Sequence, residues 1–441
     1  MPEYAPKKVI PTPTFGFVDI HGLEPLINSF AVQNLKRRRQ TGLLSEVCLN
    51  ATHTRLAHCI GIMGLTTQMV DNMFLRGFFN DENKARLRND LRITALLHDL
   101  GHPPFSHAVE YVLEALGAGN HNNRTNDLIL GELADKIAAC GSSSERIVNL
   151  LDKKSGDPRG KIVTSKSIGA DKIGYLYQDS GITGHNAAMP KDFSQLLPYL
   201  CFVDNDLRVG EAAQRFLMDM QNAYFTMYTQ VYLRKQALAF ERILQKAVEK
   251  YVENSSVDPV AIWGMSESRL EVELEDSDSA LVRKLYERIE VRNALKAAVT
   301  FKIDKYAKTE RVGDKPIAVV GCDKDEIEEK FSKKYGNPVS LTNLEKLFAD
   351  ALKIDESDIV VTMALSPKKL VPEDVSLVTK DGRLAGTLFE RSPIHYSSLV
   401  EMANDFYSVR VMVDQKYRER VSKEYKTLID IVKQDSGIVL G

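Results

Sequence analysis

The stretch that most constrains this chain is Leu96-Leu97-His98-Asp99-Leu100-Gly101-His102-Pro103-Pro104-Phe105-Ser106-His107. Apolar residues over Leu91–Leu97 read as a buried helix that carries His98 and Asp99 at its end. The Gly and Pro residues at 101–104 stop that helix, and a second one starts near Ser106 and runs through Val109, Val112 and Leu113. Such a chain has to fold around whatever an imidazole and a carboxylate on a buried helix end can bind. Seven of the nine histidines (His21, His53, His58, His98, His102, His107 and His121) fall within the first 121 residues. A single His-Asp pair is also found as a buried hydrogen-bonded couple. Three histidines in ten residues after an apolar run point instead to a metal centre.

Imidazole and carboxylate together suit Fe, Mn, Zn or Mg, and two of each leave coordination positions open for water. A bound ion lowers the pKa of that water and polarises a phosphoryl oxygen, which is what phosphate-ester hydrolysis needs. Charge narrows the partner. The formal net charge is −2, so no global basic field favours nucleic acid. The dense basic run Lys36-Arg37-Arg38-Arg39 reads either as a solvated helix face or as a site for phosphates. Five scattered cysteines without a C-x-x-C pair imply reduced thiols packed as small hydrophobes. The N-terminus lacks the apolar core of a signal peptide, and no apolar run reaches the roughly 18 residues of a membrane span. The expectation is a cytoplasmic protein without a membrane partner.

Periodicity predicts a mainly α protein with a smaller α+β C-terminal region. Residues 1–18, with four prolines, read as an extended arm. Residues 19–255 form the catalytic helical body, 256–310 a helical extension and 311–441 the α+β region, suited to assembly or regulation. Within the body, Gly117–Asn123 reads as a loop, Leu128–Ala139 as an amphipathic helix and Ser155–Lys161 as an exposed polar insertion. Asp206–Asn254 reads as one or two long helices and Leu281–Lys302 as another. Ile317–Val320, Ile359–Met363, Val375–Val378 and Tyr407–Val413 are strand candidates, with Asp381-Gly382 turning a hairpin into Leu384–Leu388 and Lys416–Val432 a closing helix.

Several blocks carry a resemblance. His58, His98-Asp99 and Asp171 look like the H…HD…D signature of the HD-domain phosphohydrolase superfamily. More narrowly, the chain resembles the SAM-and-HD-domain deoxynucleoside triphosphate triphosphohydrolases, without a SAM domain. Ala51–Gly61, Leu97–His107 and Asp171–Asp179 are similar to family blocks, and Val231–Lys235 and Arg283–Lys296 share their texture. The likeness is strong over about 18–310 and faint beyond.

The resemblance implies metal ligation by His58, His98, Asp99 and Asp171, holding one divalent ion (Fe, Mn, Zn, Mg or Co). His53 competes for the first position; His58 is preferred because the family ligand precedes a glycine by three residues, here Gly61. It makes His107 and Glu110 a catalytic couple near the scissile phosphate and His121 a second catalytic histidine. Arg55, His102, Lys172 and Tyr175 fall on phosphate-binding positions, whereas Tyr224 stands where the family has an arginine. Gln40 and Asp179 match residues that bond the sugar 3′-hydroxyl, Tyr232 the ring that excludes ribose, and Thr41 replaces a leucine beside the sugar. Asn28, Gln33, Lys36, Arg234 and Lys235 match positions for an activating nucleotide held between subunits of a tetramer. The implied reaction is hydrolysis of a dNTP to deoxynucleoside and triphosphate by metal-activated water at the α-phosphorus. The alternatives are another nucleotide phosphoester (a monophosphate, a cyclic or a short oligonucleotide), or a nucleotide-sensing or RNA-binding assembly without turnover.

Overall fold

The computed structural model describes residues 8–79, 83–190, 192–308, 310 and 313–441. Helix Arg55–Leu75 is its central pillar. Thr54 begins it by accepting the Ala57 amide on its hydroxyl, and most of its residues, including Arg55, His58 and Gly61, are buried. Helix Lys84–Leu97 packs beside it and ends where His98 begins. Helix Ala170–Thr183 lies across the same pillar and is closed by Gly184 in the left-handed conformation. These helices bury one continuous apolar cluster that includes Leu26, Ile62, Met63, Leu91, Leu96 and Ile173. A second cluster forms around helix Lys235–Asn254, between helices His107–Ala115 and Ala280–Glu290. The expected mainly α body with a smaller α+β part is what the chain forms.

The C-terminal sheet has four strands in the order Ala318–Cys322, Lys296–Ile303, Val409–Val413, Ile359–Met363. The first pair runs parallel and the others antiparallel. One face carries Phe301, Val361, Val409 and Val411 against the C-terminal helices, while Ala297, Val360 and Met412 pack on the helical body. A second four-stranded sheet joins Leu200–Val203 and Asp206–Gly210 to the hairpin Ser376–Val378/Leu384–Thr387. Gly382 turns that hairpin with φ of 80°, as its Asp-Gly signal predicts.

Several expectations need correction. Leu281–Lys302 is not one helix: helix Ala280–Glu290 stops, Arg292 takes a positive φ of 52°, and Lys296–Ile303 is a strand. Its Val299, Thr300, Phe301 and Ile303 favour that strand, and its pairing partners decide the outcome. The sheet therefore reaches back across residue 310. Asp206–Gly210 is likewise a strand before helix Gln214–Met227, a wide π-type turn at Tyr228–Tyr232 and helix Lys235–Asn254. Gly131 divides the expected helix over Leu128–Ala139 into His121–Leu130 and Ala134–Ala139, and His121 opens a helix instead of lying in a loop. Of the N-terminal arm, residues 1–7 lie outside the described residues; Val9–Thr12 and Gly16–Asp19 form an antiparallel hairpin that buries Phe15 and Val18 on the body. The closing helix Lys416–Val432 is in fact two, Arg418–Lys423 and Tyr425–Ser436.

Candidate active site

Three helices deliver one group of donors. His58 Nε2 and His98 Nε2 lie 3.2 and 3.4 Å from Asp171 Oδ1, and the three donor atoms fall within 4.8 Å of one another. Asp99 flanks them, with Oδ1 3.6 Å from His98 Nε2 and Oδ2 3.7 Å from His58 Nε2. Each imidazole is held from behind. His58 Nδ1–H donates to Gln178 Oε1 at 2.9 Å, and His98 Nδ1–H donates to the Ala95 carbonyl at 2.8 Å. These bonds fix the tautomer that leaves an Nε2 lone pair facing inward. Both Nε2 atoms are buried without an aligned hydrogen-bond partner among the described residues. Two oriented imidazoles with unused lone pairs, converging on carboxylates, fit a divalent transition-metal ion.

The electrostatics match a cation-hungry site. Burial works against a charged His98, but Asp99 and Asp171 outweigh it and push the imidazole up to about 9, so that either a proton or a metal ion is favoured on its Nε2. Burial likewise opposes ionisation of Asp171, yet His58 and His98 hold it well below the usual carboxylate range. Close glycine contacts build this arrangement. A Cβ on Gly61 would run into Gln178 Nε2, so the glycine one turn after His58 gives Gln178 its place. A Cβ on Gly101 would meet the His121 carbonyl and the Thr125 amide, so the bare backbone lets helix His121–Leu130 close on the His98–His102 turn. Gly101 N–H donates to Thr125 Oγ1 at 2.9 Å across that contact.

A second group adjoins the first. Glu110, 3% exposed, accepts from His107 Nδ1 at 3.0 Å on one oxygen and from His121 Nδ1 at 2.5 Å on the other. The His121 amide also donates to Glu110 Oε1 at 2.8 Å. Burial would raise this carboxyl, but the His107 and His121 hydrogen bonds hold it far below its ordinary range. His102 spans the two groups, with Nε2 3.5 Å from Asp99 Oδ1 and Nδ1 3.7 Å from Glu110 Oε2. Burial first and Arg55 second keep its pKa well below the ordinary histidine value. Phe105 and Ser106, with φ of 55° and 53°, make the turn between the groups; two consecutive non-glycine residues in that region store backbone strain beside the site.

The expected phosphate and sugar residues divide. Arg55, 2% exposed, points its guanidinium inward: Nη1 donates to Asp99 at 2.5 Å, Nε to Ser106 Oγ at 2.9 Å and Nη2 to the Gln40 carbonyl at 3.4 Å. Lys172 Nζ donates to Tyr175 Oη at 2.8 Å and stands 3.4 Å above the Tyr224 ring. So the tyrosine at the missing-arginine position grips a lysine by its π face. Burial lowers Lys172 to about 7 despite the nearby Asp171. Tyr232 Oη donates to Asp179 Oδ2 at 2.6 Å, and His53 Nε2 lies 2.9 Å from Asp179 Oδ1. His53 thus belongs to the Asp179 group and not with His58. The Gln40 side-chain oxygen is buried with no partner among the described residues, and Thr41 Oγ1 donates to the Ala51 carbonyl at 3.3 Å.

The regulatory candidates are exposed or half-buried. Asn28 and Lys36 are exposed, Gln33 donates its amide to the Ile27 carbonyl at 2.6 Å, Arg234 is exposed, and Lys235 pairs with Glu310 at 3.0 Å. The basic run splits. Lys36 and Arg37 are exposed, whereas buried Arg38 donates to the Trp263 carbonyl at 2.8 Å and Arg39 binds Glu267 at 2.7 Å. Half of the run is therefore a structural clamp. Gln178 is the site residue that the sequence reading missed. It lies seven residues, two helical turns, after Asp171, a spacing that puts both on one face.

Residues 55–183 match the HD domain and residues 192–438 match the HD associated region. The chain belongs to the HD-domain phosphohydrolase family. A deoxynucleoside triphosphate triphosphohydrolase SAMHD1 homolog of Dictyostelium discoideum is 26% identical over 293 residues, 61% of this chain and 55% of that one. An uncharacterized protein of Methanocaldococcus jannaschii is 27% identical over 293 residues, 65% of this chain and 57% of its own length. The chain thus spans about half the length of these curated relatives. The crystal structure of a hypothetical protein from Aquifex aeolicus superposes with a TM-score of 0.71 at 22% identity, over 95% of this chain and 100% of that one, and shares the fold. Among the described residues no helix is long and apolar enough to cross a membrane.

Proposed function

We propose that the protein is a metal-dependent deoxynucleoside triphosphate triphosphohydrolase. His58, His98, Asp99 and Asp171 would hold one divalent ion, which when bound supplies Lewis acidity and a lowered water pKa. The reaction is attack of water on the α-phosphorus, with the bond to the sugar 5′-oxygen breaking. Gln178 and the Ala95 carbonyl hold the two imidazoles so that only Nε2 faces the reaction. The leaving 5′-oxygen needs a proton. His107 and His121 both have Nδ1 engaged by Glu110, a pairing that presents Nε2 outward as donor. Lys172 meets the phosphate charge, helped by Tyr175, and binding of that charge favours its protonated form. Asp179 and Gln40 receive the 3′-hydroxyl, while the Tyr232 ring, steadied by Asp179, closes the space a ribose 2′-hydroxyl would need.

The observation that carries this reading is the pair of unpartnered Nε2 atoms facing Asp171, beside a carboxylate that brackets two histidines. Kinship to a relative named as a dNTP triphosphohydrolase supports the substrate class. The test is incubation of pure protein with each dNTP and NTP in Mn, Mg, Fe, Zn or Co, with the products resolved. Deoxynucleoside plus triphosphate, from dNTPs in preference to NTPs, is expected. Nucleoside monophosphate plus pyrophosphate, or no product, overturns it. A second reading is hydrolysis of a phosphoester with less charge, such as a nucleotide monophosphate. Two observations favour it: Arg55 is committed to Asp99, and Tyr224 replaces an arginine.

A further inference from the structure

The C-terminal sheet buries a guanidinium that the histidine centre does not use. Arg410, on strand Val409–Val413, is 4% exposed, and its Nε and Nη1 have no hydrogen-bond partner among the described residues. The register sets Arg410 opposite Thr300 on one neighbouring strand and opposite Thr362 on the other. Both threonines are buried, at 1% and 2%, and their hydroxyls also lack partners among the described residues. Residues paired across strands share a face. The sheet therefore presents hydroxyl, guanidinium and hydroxyl in one row.

The surrounding charge does not neutralise this row. Glu310 is the carboxylate whose field reaches Arg410, and both its oxygens are engaged: Oε1 lies 3.0 Å from Lys235 Nζ and Oε2 3.0 Å from Lys302 Nζ. Lys302, on the same face as Thr300 and itself buried, also has Asp405 at 3.3 Å. Among the described residues, three cations thus meet two carboxylates. A guanidinium does not shed its proton, and a buried unpaired cation calls for a counter-charge. A planar carboxylate satisfies the fork of an arginine and little more. A tetrahedral phosphoryl group has a further oxygen for the flanking hydroxyls.

We propose that Thr300, Arg410 and Thr362 form a phosphate-binding site in the C-terminal part, taking free phosphate or the phosphate tail of a nucleotide. The inference stands apart from the hydrolase reading, because its readout is binding and not turnover. Full-length wild type and Arg410→Met are compared by equilibrium dialysis with labelled inorganic phosphate, and by thermal melts in sodium phosphate against sodium chloride of equal ionic strength. Wild type should hold one more phosphate per chain than the variant, and only wild type should gain the extra rise in Tm. Equal stoichiometry and equal melting responses with inorganic phosphate, triphosphate and dNTP alike overturn the site. Should Arg410→Met not fold, Thr300→Val and Thr362→Val, close in shape, should each weaken phosphate binding about tenfold; unchanged affinity overturns it equally. Repeating the dialysis with triphosphate and with a dNTP in chelator separates the sources. A response to nucleotide alone assigns the nucleotide tail, a response to inorganic phosphate assigns the free ion, and no response to any of the three rejects the site.

Discussion

Two of the clusters of buried charge among the described residues are finished differently. In the clamp between the body and the C-terminal part, Arg242 Nε donates to Glu345 Oε1 at 2.8 Å and Lys246 Nζ lies 3.3 Å from Glu345 Oε2. Lys246 also donates to the Glu356 carbonyl at 2.8 Å, and Glu345 accepts the Val361 amide at 2.8 Å. Every polar side-chain atom of Arg242, Lys246 and Glu345 has a partner. The histidine centre leaves His58 Nε2 and His98 Nε2 unused, next to a turn with two strained residues. A closed network holds parts together, whereas an open one leaves polar atoms with capacity to bind.

The sharpest way to break that contrast is to damage each side. His98→Ala or Asp99→Ala should abolish bound metal, by elemental analysis, and lower hydrolysis at least 1,000-fold, about 4 kcal/mol of barrier. The His98→Ala urea midpoint should stay near wild type, whereas Asp99→Ala, which also strands the buried Arg55 guanidinium, should lose stability. Retained activity in a verified metal-free variant would sink the mechanism. Glu345→Ala should do the reverse. It strands Arg242 and Lys246, so it should cost about 3–5 kcal/mol of stability while leaving metal content per folded chain unchanged. A loss below about 1 kcal/mol would mean that the clamp is not closed in the sense argued above.

Much of the open cluster was legible because its chemistry is local. His98 and Asp99 are adjacent, His107 and Glu110 are one helical turn apart, and motif likeness supplied His58 and Asp171. Gln178 was not seen, since a glutamine holding a histidine from behind has no signature beyond helical spacing from Asp171. The closed clamp was invisible. Arg242 and Glu345 are 103 residues apart, and nothing near either names the other. Strand Lys296–Ile303 was read as a continuation of helix Ala280–Glu290 for the same reason: its neighbours Ala318–Cys322 and Val409–Val413 lie far along the chain. The Tyr224–Lys172 contact shows a subtler limit. Residue-by-residue likeness registered a lost arginine, whereas the folded chain shows what the tyrosine does there.

Gly61 offers a milder perturbation that touches only the support of the open cluster. In Gly61→Ala the new methyl displaces the Gln178 amide, and His58 loses the partner that fixes its tautomer. Metal affinity should fall about 10- to 100-fold, as when the hydrogen-bond partner of a ligating histidine is removed. Gln178→Leu should show a similar loss, and the double variant little more than either alone, because both act through one bond. Fully additive losses in a metal titration would show that Gly61 matters for some other reason.

The smallest effect expected is an acid one, on the C-terminal side. Burial would raise the Glu310 carboxyl, but hydrogen bonds from Lys302 and Lys235 hold it down to about 2, against an ordinary value of 4.5. Because the folded value is the lower one, its stabilisation is complete above pH 4.5 and is lost as pH falls through 2. Wild type should therefore lose its melting-temperature advantage over Glu310→Gln across that window, by a few degrees at most, and the two curves should run parallel above pH 5. A gap that persists undiminished at pH 2 would mean that the pair with Lys302 is not ionic, and that this part of the molecule, too, holds a charge that its own residues do not neutralise.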